Sequence, residues 1–254
     1  MTHEPPADPW DRWRAATRAR IGLGRAGDGL PTRALLEFQL AHARARDAVH
    51  GAVDMGALAA ALAPLPVVRV HSRAADRSVY LRRPDLGRRL DDAGRAALEE
   101  MADGRGCDVL FVVADGLSAA AVQAHAAPLV HACAGRLADL RLGPVVLAEQ
   151  ARVALGDEAG AILGARLVAL LVGERPGLSA ADSLGVYLTW NPAVGRADSE
   201  RNCISNIHGA GLSVPAATEI LCRLIREATR RGLTGIALKD EGPLLAAEAP
   251  DAKG

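Results

Sequence analysis

Val109-Leu110-Phe111-Val112-Val113-Ala114-Asp115-Gly116-Leu117-Ser118 decides the fold class of this chain. Its continuous apolar run, mostly β-branched or aromatic, predicts a short strand buried on both faces. The turn Asp115-Gly116-Leu117-Ser118 closes that strand, and the alanine-rich run after it predicts a helix to about Gly135. The alternation then repeats. Val145-Val146-Leu147 reads as a second strand, 156–163 as helix, and Leu167-Val168-Ala169-Leu170-Leu171-Val172 as a third strand. Val186 to Trp190 reads as a fourth strand, 216–231 as helix, and Gly235-Ile236-Ala237-Leu238 as a last strand. Apolar strands alternating with helices predict an α/β fold with a parallel sheet and helices on both faces.

Upstream the pattern differs. Residues 1–31 are polar, with Pro5, Pro6 and Pro9 and glycines around Gly22-Leu23-Gly24, and read as an arm with too little apolar surface to fold alone. Leu30-Pro31-Thr32 predicts a helix start with Thr32 as N-cap, placing Leu36, Leu40 and Ala43 on one face. An Ala/Leu-rich stretch over 57–63 stops at Pro64 and Pro66, Arg82 to Arg89 forms an arginine-loaded turn, and a helix is expected from Asp91 to Met101. The expected division is therefore an N-terminal arm and helical domain over 1–104, then an α/β domain over 105–254.

Composition removes several function classes. Half of the 254 residues are apolar and the formal net charge is zero, so no global basic field draws nucleic acid or an anionic membrane. Lys239 and Lys253 are the only lysines, and neither sits in the Gly-x-x-x-x-Gly-Lys-Ser/Thr arrangement of a phosphate-binding P-loop. Cys107, Cys133, Cys203 and Cys222 contain no Cys-x-x-Cys pair, which removes the usual zinc and disulfide-scaffold patterns. Glu4, Asp8, Trp10 and Asp11 occupy the place of an apolar signal core, and no apolar run approaches the ~20 residues of a membrane span. The expectation is a soluble cytoplasmic protein with reduced thiols.

Three places carry candidate chemistry. Asp115 and Ser118 stand where a strand meets a helix N-terminus, whose free N–H groups accept a phosphate or amide oxygen; the plainer use of both is capping. No Gly-x-Gly-x-x-Gly follows this strand, which argues against a dinucleotide site. Glu174, in Gly173-Glu174-Arg175-Pro176-Gly177-Leu178, ends an apolar strand, where its carboxylate can accept amide N–H groups of a bound cofactor or pair with an arginine. Arg201-Asn202-Cys203-Ile204-Ser205-Asn206-Ile207-His208 concentrates polar side chains and reads as a loop at one end of the sheet. Within it, Cys203 is a nucleophile, a metal ligand or a packed contact residue, and the last is the common use of a free cysteine.

Four segments, in order and at compatible spacing, resemble the small subunit (light chain) of ethanolamine ammonia-lyase. They are Arg82-Arg83-Pro84-Asp85-Leu86-Gly87-Arg88, Phe111 to Ser118, Gly173 to Leu178, and Arg201 to Asn206. The resemblance implies a helical N-terminal part and a Rossmann-like domain that holds adenosylcobalamin from the side of its lower axial base, against a large barrel subunit. Homolysis of the cobalt–carbon bond then gives an adenosyl radical, and ethanolamine becomes acetaldehyde and ammonia on residues of the large subunit. It further implies Val153, Glu174 and Cys203 as cofactor contacts, no catalytic residue or metal ligand on this chain, and a cytoplasmic enzyme that some bacteria enclose in a microcompartment. Asn206-Ile207-His208-Gly209-Ala210-Gly211 has the spacing of the Asp-x-His-x-x-Gly motif by which some cobalamin proteins supply a histidine to cobalt. Asn replaces the orienting Asp, so the match reads as coincidental, with benzimidazole kept on the metal.

Two readings of other classes stand beside this one. A stand-alone α/β enzyme would use Asp115, Ser118 and Cys203; a binding module would carry a nucleotide-like ligand without a catalytic partner. Purified-chain turnover marks the first, and full ligand binding without a second protein marks the other.

Overall fold

A computed structural model describes residues 8–240 and Gly242. Residues 1–7 of the expected arm, with Glu4, Pro5 and Pro6, lie outside the described residues, as does Lys253. The described arm contains α1 (Asp11–Ala16), which buries none of its residues. Then follow α2 (Thr32–His50), α3 (Met55–Ala61), β1 (Val67–His71), α4 (Arg77–Arg82) and α5 (Asp92–Met101). The remainder runs β2 (Cys107–Ala114), α6 (Ala119–Arg136), β3 (Val145–Glu149), α7 (Leu155–Ile162), β4 (Ala165–Gly173), β5 (Leu184–Trp190), β6 (Arg201–Ile207) and α8 (Val214–Arg231). Among the described residues, no helix is long and apolar enough to cross a membrane.

Local chemistry sets the helix ends. Asp91 accepts the N–H of Gly94 and starts α5, Ser118 accepts that of Ala121 and starts α6, and Ser213 accepts that of Ala216 and starts α8. Gly232, at φ +69°, closes α8 in the left-handed conformation. Thr32 is the first residue of α2 instead of its N-cap; Pro31 precedes it, and no side chain caps that helix.

The sheet has the order β1-β3-β2-β4-β5-β6. The first four strands are parallel, as expected, but β5 and β6 are antiparallel to their neighbours, so the sheet is mixed and not the parallel Rossmann-like sheet. The connection supplies the reason. Residues 174–183 between β4 and β5 hold no helix, and a parallel return needs a crossover of about a dozen residues or more. The chain therefore doubles back. Along β2, Val109, Phe111 and Val113 face the layer of α3, α6 and α8, while Leu110, Val112 and Ala114 face that of α5 and α7. Helices cover both faces, which is why these strands are apolar without interruption.

Three further differences have physical causes. Val67–His71 is an edge strand paired with β3, although the sequence reading has only helices before residue 104; its exposed Arg69 and partly exposed His71 weaken the apolar signal. Arg201–Ile207 is an edge strand instead of a loop: Arg201, Ile204 and Ile207 point inward while Cys203, Ser205 and Asn206 are exposed. The run Gly235–Ala237 is a 3-10 turn and not a strand, with Ile236 82% exposed. The Asn202 side chain holds that turn, accepting from Gly235 N at 2.8 Å and donating to Leu238 O at 2.7 Å.

Candidate functional site

The C-terminal ends of the parallel strands lie along one edge of the sheet, the place where α/β proteins bind ligands. Because β5 and β6 each reverse direction, β6 also ends at this edge, bringing Asn206 to Glu174. A cleft of about 420 Å³ opens here, lined by Tyr80, Gly116, Leu117, Arg152, Val153, Val172, Gly173, Glu174, Arg175 and Tyr187. Val153 and Glu174 thus line one cleft. Cys203 lies one strand away, paired across β5–β6 with Tyr187, and is exposed.

The Glu174 carboxylate is held on one oxygen. Oε2 accepts the Ser183 hydroxyl at 2.5 Å and the Asn206 N–H at 3.3 Å. Among the described residues Glu174 makes no ion pair with an arginine, so the salt-bridge use of this residue is not the one observed. Space for it depends on Gly185, where a Cβ would lie 2.8 Å from Oε1. Gly116, at φ +58°, lets the turn after β2 press against the Gly173 carbonyl.

Asp115 organises the floor of the cleft. Its buried carboxylate accepts the N–H groups of Gly116, Gln150 and Ala151 at 2.8, 2.9 and 3.0 Å, with Arg77 3.7 Å away. Burial raises its pKa, against the pull of those N–H groups and of Arg77. Ser118 is equally committed: its hydroxyl caps α6 and donates to Ala181 O at 2.7 Å. Neither is free to act on a ligand as acid, base or nucleophile. Although Cys203 is exposed on its edge strand, desolvation by the groups packed around its thiol raises the pKa, against a hydrogen bond from Tyr187 and with a further push from Glu174, which is the reverse of an activated nucleophile.

Residues that the sequence reading did not single out complete the wall. Tyr80 is buried with the guanidinium carbons of Arg77 and Arg152 4.8 and 4.5 Å from its ring centroid, a doubled cation–π contact. Burial, aided by Asp115 and opposed by both arginines, pushes its phenol up to about 12. Tyr187 is also pushed up to about 12, by burial and then by Cys203 and Glu174. The chain has two tyrosines, and both line this cleft; that scarcity was the available signal.

His208 does not face outward for ligation. Its Nε2 donates to Asn206 Oδ1 at 2.9 Å and its Nδ1 accepts the Ala210 N–H at 3.2 Å, so both ring nitrogens are occupied in a tight turn. Arg201 is a buried framework residue: its two terminal nitrogens each donate to Asp157 at 2.7 Å, joining β6 to α7. Among the described residues no group of three or more His, Cys, Asp or Glu side chains could hold a metal ion.

The cleft suits one side of a large, amide-rich ligand. It is lined by Glu174, whose Oε1 has no hydrogen-bond partner among the described residues, by an apolar Val153, by two phenol rings and by Arg152. Its volume is near the low end of the ~300–1,000 Å³ of small-molecule sites, so a corrinoid would rest on it only in part.

Known proteins resemble the chain over nearly its whole length. The sequence profile of the ethanolamine ammonia-lyase light chain (EutC) matches residues 7–239. The chain is 56% identical over 241 residues to the ethanolamine ammonia-lyase small subunit of Bradyrhizobium diazoefficiens, covering 93% of this chain and 92% of the relative. It is 54% identical over 249 residues to that of Xanthomonas campestris (95% and 92% covered) and 50% identical over 255 residues to that of Pseudomonas fluorescens (97% and 93%). A match of this extent places the chain in the ethanolamine ammonia-lyase light-chain family.

Proposed function

We propose that this chain is the cofactor-holding half of an adenosylcobalamin-dependent ethanolamine ammonia-lyase, working against a large subunit that carries the substrate site. The observation that carries this reading is the meeting of Val153 and Glu174 in one cleft, with Cys203 on the next strand. Bound adenosylcobalamin supplies the radical chemistry by homolysis of its cobalt–carbon bond. This chain's part is to seat the lower side of the cofactor. Glu174 Oε1 accepts amide N–H groups, Val153 gives an apolar contact, Tyr80 and Tyr187 supply flat apolar walls, and Cys203 closes the rim as a neutral thiol.

A partner is supported by what the surface exposes. Trp10, Trp13, Leu30, Leu35, Leu36, Phe38 and Leu40 are all exposed on the arm and α2, a concentration that marks an interaction surface. A groove of about 1250 Å³ beside α2 lies apart from the site residues and is lined largely by alanines and α2 side chains, which suits packing more than chemistry. The stand-alone enzyme is disfavoured because Asp115 and Ser118 are spent on backbone groups.

Acetaldehyde release from ethanolamine with adenosylcobalamin, measured for the chain alone and with the large subunit, tests the reading. Turnover is expected only with both. Turnover by the isolated chain contradicts it.

A further inference from the structure

Most buried or half-buried arginines here have a carboxylate: Arg77 has Asp115, Arg89 and Arg95 share Glu158, and Arg201 has Asp157. Arg152, half-buried in the cleft lining, does not. Arg152 stacks on Tyr80 and donates one bond to the Tyr80 carbonyl at 3.1 Å, with its Nε buried and unpartnered. Arg175 is exposed at the cleft wall and has no hydrogen-bond or ion-pair partner among the described residues. The carboxylate between them in the lining, Glu174, is turned to Ser183 and Asn206. Two guanidinium groups therefore line one concave space without an ion pair and outnumber its one carboxylate, Glu174, leaving a net positive lining whose field a concave wall concentrates.

A guanidinium fork matches the oxygens of a phosphate in pairs, and such charge-assisted bonds are the strong ones. We propose that Arg152 and Arg175 form an anion subsite for a phosphate ester of the ligand. Resting on the cobalamin reading above, that ester is the phosphodiester of the cofactor's nucleotide tail, its one anionic group among neutral amides. Arg152 is the fixed member, held by Tyr80; Arg175, exposed and without a partner among the described residues, is the member that meets the ester from the wall.

The test uses the complex with the large subunit, loaded with cyanocobalamin and read by the absorbance that stays with protein after gel filtration. Two competitors are compared, α-ribazole and α-ribazole 3′-phosphate. For the unaltered complex the phosphorylated competitor should displace the corrinoid at about a tenfold lower concentration, the effect of one charge-assisted bond. The advantage should shrink as salt is raised. Arg175→Gln, which breaks no contact within the chain, should remove most of it. Arg152→Lys, which keeps the charge but loses the fork, should reduce it by a smaller factor. Equal displacement by the two competitors in the unaltered complex, or an undiminished advantage in Arg175→Gln, overturns the subsite. Failure of the unaltered complex to retain cyanocobalamin at all overturns instead the cobalamin reading on which it rests.

Discussion

Asp115 accepts the backbone N–H of Ala151 at 3.0 Å, tying the end of β2 to the loop that carries Arg152 and Val153. The same carboxylate takes the N–H of Gln150 at 2.9 Å, and Gln150 is held at φ +51°. One side chain thus shapes a loop from the neighbouring strand.

Asp115→Asn should separate this positioning role from chemistry. An amide keeps one acceptor oxygen and turns an NH₂ group toward backbone donors, so one buried N–H loses its partner, at a cost of about 1–3 kcal/mol. The denaturation midpoint should fall accordingly. Half-saturation by adenosylcobalamin should rise about fivefold or more, because Val153 and Arg152 are no longer fixed, while the maximal rate changes less. A lowered maximal rate at unchanged half-saturation would assign Asp115 to the reaction itself.

The Arg201–Asp157 pair carries a stability prediction. Both side chains are 2% exposed, and removing one partner of a buried pair strands the other, typically at about 3–5 kcal/mol. Arg201→Met should lower unfolding free energy by that order in chemical denaturation. Joint Arg201→Met and Asp157→Leu should recover much of the loss, because no lone charge is left. A double variant no better than the single would show that the pair is not coupled in this way.

The tyrosines supply a pH prediction. Both phenols are raised from about 10 to about 12 in the folded chain. Folding therefore favours the protonated phenols: their contribution is complete below the unfolded pKa and is lost as pH rises through the folded one. The tyrosinate absorbance of the native protein should stay low near pH 10 and rise toward pH 12, with stability falling across that window. A native titration midpoint at 10 would contradict the buried setting of Tyr80 and Tyr187.

The sequence made the covered strands legible and the edges illegible, for one reason. β2 and β4 are buried on both faces and so are apolar throughout, whereas β1 and β6 expose Arg69 and Cys203-Ser205-Asn206 and lose that signal. The antiparallel turn of β5 was present in the short helix-free segment 174–183, a feature of connection length that apolar patterning does not register. Within the site, Glu174 was readable as a carboxylate at a strand end. Asp115 was readable only as a capping or ligand group, because its true partners, Gln150 and Ala151, are backbone groups of a distant loop. Arg201 was misplaced for a similar reason, since Asp157 is distant in sequence.

Glu174→Gln in the complex with the large subunit is the most direct test of the central claim that this chain anchors the cofactor. Oε2 is engaged by Ser183 and Asn206, which leaves Oε1 as the oxygen without a hydrogen-bond partner among the described residues. The variant keeps one acceptor and presents an amide donor where cofactor amides also donate. One lost charge-assisted bond corresponds to about tenfold in affinity. Activity titrated with adenosylcobalamin should therefore show half-saturation raised about tenfold or more, with a maximal rate close to that of the unaltered complex. Unchanged half-saturation with a collapsed maximal rate would contradict the anchoring role and assign Glu174 to the chemistry.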